Sequence, residues 1–495
     1  MKRRDFLRSA AMVLAAPSLR DAGPYGLSQM GQMATPSQGK PSAAPGPESP
    51  SASPADITLH IEPVTVELAP DRILSTIGYN GTSPGPILRM KEGKSVTVDV
   101  INRTDTPELV HWHGFLISPE MDGVEEQGAR PIPPQGARRL QFTPSLAGSR
   151  WYHTHAMAES DLHKGAYTGQ FGFVYIDPAS GDPGHYDQEH FLALRDWEPF
   201  FSSTMEDDDD EDGKPAVQPE KPTRDLPGSP GLEVSSMTYS INDKALGAGQ
   251  PIRVKQGERV LFHLLNASAI ENRRIAFAGH KFRIIAMDGN PVPTPTEVDA
   301  IFLGAGERVC AVVEMNNPGV WILGATNDMI RNAGLGVIVE YANQHKKAVW
   351  NKPGPANWDY TIFGKPGGPA QKPDAVIDMV FEKMPSGMGK FNAWLINGKP
   401  YPHEREFVLE QGKRYRLIYR NRTDDAHPMH LHRHQTELVE VNGKWTHGLI
   451  KDTVVVPYFG RASIDFVADQ PGLTLFHCHI QNHMDYGFKA LFRYA

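Results

Sequence analysis

The sequence predicts an all-β protein built from several small sandwiches or barrels. Three observations carry this. Glycine (46) and proline (42) are abundant and punctuate the chain at short intervals. Between them run short strand-like segments such as Ser95–Ile101, Arg259–Leu265, Val309–Glu314 and Arg414–Tyr419, rich in apolar and β-branched residues. Long amphipathic helical patterns are scarce. A length of 495 residues suits about three domains.

Taken in order, residues 1–20 read as an export signal. Lys2-Arg3-Arg4-Asp5-Phe6-Leu7-Arg8 carries a twin arginine followed by apolar residues, and Ser9–Ala16 is an apolar stretch too short to cross a membrane. This looks like a twin-arginine signal. It makes the twin-arginine export machinery a partner and the destination periplasmic or secreted. Residues 21–55, rich in Pro, Ser, Gly and Ala, read as a disordered linker. A first domain is expected over 56–178 and a second over 185–341. A linker rich in Gly, Pro and Lys follows over 342–373, and a third domain over 374–495. The acidic run Glu206–Asp212 in the second domain is either a solvated loop or an attractor for cations. A net charge of −8 argues against nucleic acid, and no membrane partner is expected. Cys310 sits in an apolar run and reads as a small buried hydrophobe, with no disulfide to Cys478.

The chemistry lies in four His-X-His motifs. His111-Trp112-His113 and His153-Thr154-His155 fall in the first domain, and His430-Leu431-His432 and His477-Cys478-His479 in the third. Two residues apart on a strand, side chains share a face, so each pair presents two imidazoles together. Eight imidazoles are too many for one zinc, which takes four ligands, and suit a cluster of several copper ions. His427 is offset by three from His430 and so faces away from the His430/His432 pair. Cys478 points opposite to the histidines that flank it. With His483 these make a His₂Cys set, the ligand set of blue-copper sites. The other histidines, including His60, His163, His263, His280 and His434, read as surface, cap or satisfied core positions.

HWHG (111–114), HTH (153–155), HPMHLH (427–432) and HCHIQNHMDYGF (477–488) together resemble the motifs of the multicopper oxidase family, which includes laccases, ascorbate oxidases, ferroxidases and cuprous oxidases. Leu264–Ser268 and Ile285–Gly289 resemble that family's middle-domain signatures. The resemblance implies three cupredoxin-like Greek-key β-sandwich domains and four copper ions. His111 and His430 would hold type 2 copper. His113, His153 and His479 would hold one type 3 ion, and His155, His432 and His477 the other. His427, Cys478 and His483 would hold type 1 copper. Asp122 would be the catalytic carboxylate near the type 2 ion; as an Asp before Gly it also reads as a turn residue.

The implied activity couples one-electron oxidation of a small-molecule reductant to reduction of O₂ to water. Two departures bear on it. Phe488 stands where many bacterial members have an axial methionine; it cannot ligate, which favours Cu(I) and raises the potential. Met484 follows His483 where some bacterial laccases carry a glutamate. The expected activity is laccase-like, on phenols or aromatic amines, with the His483 edge as electron entry. The alternative is a metallo-oxidase acting on Cu(I) or Fe(II); the scattered methionines weaken its cuprous form.

Overall fold

The computed structural model describes residues 53–180, 184–202, 231–354, 358–369, 371–387, 389–403 and 407–495. The twin arginine at Arg3-Arg4 and the acidic run Glu206–Asp212 lie outside these residues.

The expected strands form because every second residue is apolar. Val96–Asn102 buries Val96, Val98 and Val100, and Arg414–Asn421 buries Tyr415, Leu417 and Tyr419, with half-buried residues between them. Helix is confined to single turns such as Pro119–Asp122, Asp328–Asn332 and Gln481–Asp485. No helix among the described residues is long and apolar enough to cross a membrane.

The strands assemble into three pairs of sheets, and one pairing scheme recurs in each. Ile57–Ala69 runs parallel to Val96–Asn102, Gln188–Ser202 to Arg259–Asn266, and Ala375–Met384 to Arg414–Asn421. In the facing sheets Leu88–Lys91 runs parallel to Phe171–Asp177, Ile252–Val254 to Gly336–Tyr341, and Phe407–Leu409 to Lys489–Tyr494. The chain therefore repeats one cupredoxin-like β-sandwich three times. A buried asparagine closes the same corner in each. Asn102, Asn266 and Asn421 end equivalent strands, and each donates its amide to carbonyls of the following loop. Each also accepts from a backbone N–H two residues on, at Thr104, Ser268 and Thr423. The 342–373 segment is more than a connection. Lys365–Pro366 pairs with the strand Lys444–Lys451, and Tyr360 is buried.

The strands that carry the histidine motifs break the alternation. His111–His113, His427–Leu431 and Thr474–Cys478 are buried on both faces. One face packs into its own sandwich. Trp112 is fully buried against Phe142 and Tyr152, with ring centroids 5.0 and 6.0 Å away, while Met429, Leu431, Phe476 and Cys478 join the core of the last sandwich. The other face carries imidazoles. Only His111 and His113 both lie on their strand. In the other three pairs the second histidine lies just beyond the strand end, after His153, Leu431 and Cys478.

Trp112 thus fixes which way His111 and His113 face. Trp112→Ala should destabilise the protein by about 3–5 kcal/mol. Denaturant titration of the two forms tests this, and an unshifted midpoint would remove the anchoring role.

Candidate copper centres

Strand register sets the first contacts. In the first sandwich His111 lies opposite His153, and in the last His430 lies opposite His477. Opposed residues bring their side chains within a few ångströms. Between the two sandwiches His113 stacks on His430, 3.9 Å between centroids and 17° apart. Three histidine groups result, each with its ligand atoms within 4.8 Å: His113, His153 and His479; His155, His432 and His477; and His111, His113 and His430. A fourth group, of the same span, joins His427, Cys478 and His483. All eleven side chains expected from the sequence come together, and three of the four His-X-His pairs divide between groups, while His111 and His113 share one.

The outward nitrogens are tied down. His111 Nδ1 lies 2.8 Å from the Asp122 carbonyl, His153 Nδ1 2.7 Å from that of Thr154, His430 Nδ1 2.8 Å from that of Asp452, and His477 Nδ1 2.7 Å from that of Cys478. Each such bond makes Nδ1 the donor and leaves a lone pair on Nε2. His113 is turned the other way, its Nε2 3.0 Å from Asp452 Oδ1. The nitrogens left over, Nε2 of His111, His153 and His430, Nδ1 of His113 and both nitrogens of His479, are buried with no hydrogen-bond partner. Orphaned polar atoms of this kind are rare unless an ion satisfies them. The donor set fits copper, for which imidazole is a good ligand.

Burial pulls the imidazoles of His113, His153, His155, His427, His430, His432, His479 and His483 well below the ordinary histidine range, and neighbouring cations or imidazoles add to the effect. His477 falls to about 3 by the same burial. Neutral imidazole is the form that binds metal. Burial pushes the Cys478 thiol above its usual range, so an incoming ion must displace its proton.

Asp122 ends its helical turn and precedes Gly123 at φ 80°, so it is the turn residue the sequence suggested. It is also fully buried between two histidines. Its Oδ2 accepts from His432 Nδ1 at 2.9 Å and Gln127 Nε2 at 2.5 Å, and its Oδ1 lies 3.4 Å from His111 Nδ1.

At the thiolate group, Cys478 Sγ lies 3.9 Å from His427 Nδ1 and 3.6 Å from His483 Nδ1. Thr423, in the repeated asparagine corner, bonds His427 Nε2 at 2.6 Å. Phe488 is fully buried, its ring 4.8 Å from that of His427. Trp394 lies 3.8 Å from the His483 ring. His483, whose edge is expected as the electron entry, is 0% exposed. Glu233 Oε2 stands 3.8 Å from its Nε2.

Sequence reasoning missed Asp452, Glu233, Thr423 and Trp394, since nothing in single-residue spacing marks them. His434 is a satisfied core residue, bonded to the His432 carbonyl and Tyr494 Oη. Cys310 is buried and free, but its Sγ lies 3.2 Å from His263 Nδ1, so it is not a plain hydrophobe.

Comparison with known proteins agrees with this geometry. Multicopper oxidase family domains match residues 61–181, 189–345 and 375–495. The multicopper oxidase MmcO of Mycobacterium tuberculosis is 31% identical over 451 residues, covering 88% of this chain and 86% of the relative. The crystal structure of a multi-copper oxidase from Pseudomonas thermotolerans superposes with a TM-score of 0.65 at 25% identity, over 89% of this chain and 100% of that one. A laccase of Botrytis aclada (TM-score 0.69, 20% identity, 89% of this chain and 88% of that one) and a metallo-oxidase of Campylobacter jejuni (0.66, 19%, 92% and 94%) share the fold. The chain belongs to the multicopper oxidase family. It is a copper-using oxidoreductase.

Asp122→Asn keeps the shape but weakens the hold on His111 and His432. It should slow reoxidation of the reduced protein by O₂ about 10- to 100-fold and leave reduction by substrate unchanged. Stopped-flow absorbance follows both steps, and equal rates in mutant and wild type would leave Asp122 as a turn residue only.

Proposed function

We propose that this chain is a laccase-like oxidase holding four copper ions. It would couple one-electron oxidation of phenols or aromatic amines to the four-electron reduction of O₂ to water. His111 and His430 would hold the type 2 ion, and His113, His153 and His479 one type 3 ion. His155, His432 and His477 would hold the other, and His427, Cys478 and His483 the type 1 ion. The three domains are read as 56–178, 185–341 and 374–495. Copper bound there supplies one-electron transfer at the His₂Cys site and O₂ reduction at the histidine cluster.

The observation that carries the substrate reading is Phe488. A buried phenyl ring beside His427 offers no donor, and a copper site without an axial thioether favours Cu(I). The resulting high potential is what removing an electron from a phenol requires. The surroundings support it. Phe391 stacks on Tyr486 at 4.2 Å and meets Phe201 edge-on at 5.2 Å. This aromatic platform adjoins Asn392, which donates to the Glu233 carboxylate. Burial pushes Glu233 up to about 7, so its Oε2 suits the proton a phenol loses on oxidation. With His483 buried, electrons would enter across this layer. Cys478 is joined through the backbone to His477 and His479, a short covalent path between the sites.

Protons for O₂ reduction have an approach that does not need a glutamate in place of Met484. A cavity of about 910 Å³ reaches His155 and is lined by Glu108, Glu126, Asp485 and Lys489. Burial raises Glu108 to about 7 and Asp485 to about 6, so both can carry a proton near neutrality. The alternative, oxidation of Cu(I) or Fe(II), draws on Glu233 as well, because a carboxylate beside His483 also suits a cation. Export through the twin-arginine machinery to the periplasm or exterior is proposed from Arg3 and Arg4.

Two experiments test this reading. Cys478→Ser should abolish the blue thiolate-to-copper absorption and oxidase turnover while copper stays bound at the histidines; a surviving blue band would disprove the type 1 assignment. Steady-state kinetics with a phenol, Cu(I) and Fe(II) side by side should favour the phenol. Efficient Cu(I) or Fe(II) oxidation with negligible phenol turnover would establish the metallo-oxidase reading.

A further inference from the structure

The middle sandwich supplies none of the eleven clustered side chains, yet it reaches several of them. Gly306, at φ 84°, lies so close to His479 that a Cβ would come within 2.6 Å of its Cδ2. Two residues on, Arg308 opens the strand Arg308–Glu314 and is fully buried. Its Nη1 and Nη2 donate to Asp452 Oδ1 and Oδ2 at 2.8 and 2.6 Å. That fork geometry matches a carboxylate in two parallel bonds, which lysine cannot reproduce. Asp452 Oδ1 in turn accepts from His113 Nε2 at 3.0 Å, and its carbonyl accepts from His430 Nδ1 at 2.8 Å. One aspartate therefore orients two imidazoles, and one arginine from another domain orients the aspartate.

The network is closed behind Arg308. Asp288 Oδ1 lies 3.6 Å from its guanidinium, and Asp288 Oδ2 pairs with Lys451 Nζ at 2.9 Å. Lys451 also pairs with Glu307 at 2.9 Å. Burial alone would pull the Arg308 pKa down; the charge and hydrogen bonds of Asp452 outweigh it, and the guanidinium stays charged. Crowding here explains the glycine that ends HWHG. Gly114 has φ 84°, and a Cβ on it would lie 2.6 Å from Asp452 Oδ2 and 2.9 Å from Arg308 Nη2.

The consequence is chemical. His111, His153 and His430 are bonded through Nδ1 and leave Nε2 unpartnered, whereas His113 is bonded through Nε2 and leaves Nδ1. We propose that Arg308 is a positioning residue for the histidine cluster: by aiming Asp452 it holds His113 through Nε2 and so presents Nδ1 to the metal. This rests on the copper reading above.

The test uses the full-length holoenzyme and its copper-free form. Copper per chain is measured against a competing chelator, with the blue absorption and the paramagnetic resonance of the non-blue ion. In the copper-free protein, ¹⁵N-histidine resonances report the His113 tautomer. Arg308→Met should weaken copper retention at the histidine cluster about 10- to 100-fold, leave the blue absorption intact, and shift His113 away from the Nε2–H tautomer. Arg308→Lys, which keeps the charge without the fork, should fall between. Wild-type retention, resonance and tautomer in Arg308→Met would overturn the proposal. If that variant does not fold, Arg308→Lys and Asp452→Asn decide by the same readings, and wild-type values in both would overturn it. A wild-type chain with no copper at its histidines would defeat the copper reading instead; the tautomer, read without metal, would still decide the positioning role.

Discussion

An imidazole nitrogen buried without a partner costs about 1–3 kcal/mol, and this chain buries six of them in one place. Folding alone does not recover that cost, because each inward nitrogen faces other imidazoles rather than water or a donor. The constraint shapes everything around it. The outward nitrogens must be bonded, or the rings would turn and satisfy themselves elsewhere; backbone carbonyls and two aspartates do this. The strands that carry the rings must be buried on both faces, so their opposite faces need large apolar anchors such as Trp112 and Phe476. Finally, the two sandwiches must meet with little tolerance, since His113 stacks directly on His430.

The fold class and the clustered side chains were legible in the sequence because both rest on period-two patterning. Alternation in segments such as Val96–Asn102 marks strands, and the same alternation assigns His477 and His479 to one face and Cys478 to the other. Strand ends were less legible. Three of the four second histidines lie just past their strands, where pleating no longer sets their direction. The threefold repeat is written in the chain as Asn102-Arg103-Thr104, Asn266-Ala267-Ser268 and Asn421-Arg422-Thr423, but its meaning needs the corner geometry. Asp452, Glu233 and Arg308 were not legible at all. Their roles depend on contacts more than a hundred residues away in sequence, which no local pattern encodes.

The most instructive difference concerns His483. Its edge is expected as the electron entry, and the structure covers it with Trp394 and Glu233. Both readings of the site must accommodate that cover. A dry, aromatic surround disfavours the more highly charged copper state, in the same direction as the absent axial donor beside Phe488.

The cover also changes what substrate selection means. If a reductant cannot touch His483, discrimination passes to the layer above it, where Glu233 is held by Asn392 and Asn482 and the Phe391–Tyr486 stack lies alongside. Asn482 and Tyr486 belong to the segment that carries His483, whereas Glu233 opens a strand of the middle sandwich. The middle sandwich thus stands at both ends of the proposed electron path. Glu233 lies beside His483, proposed to hold the type 1 ion, and Arg308 bonds Asp452, which bonds the cluster. A domain without a single ligand can in this way tune both substrate choice and the geometry at which O₂ is reduced.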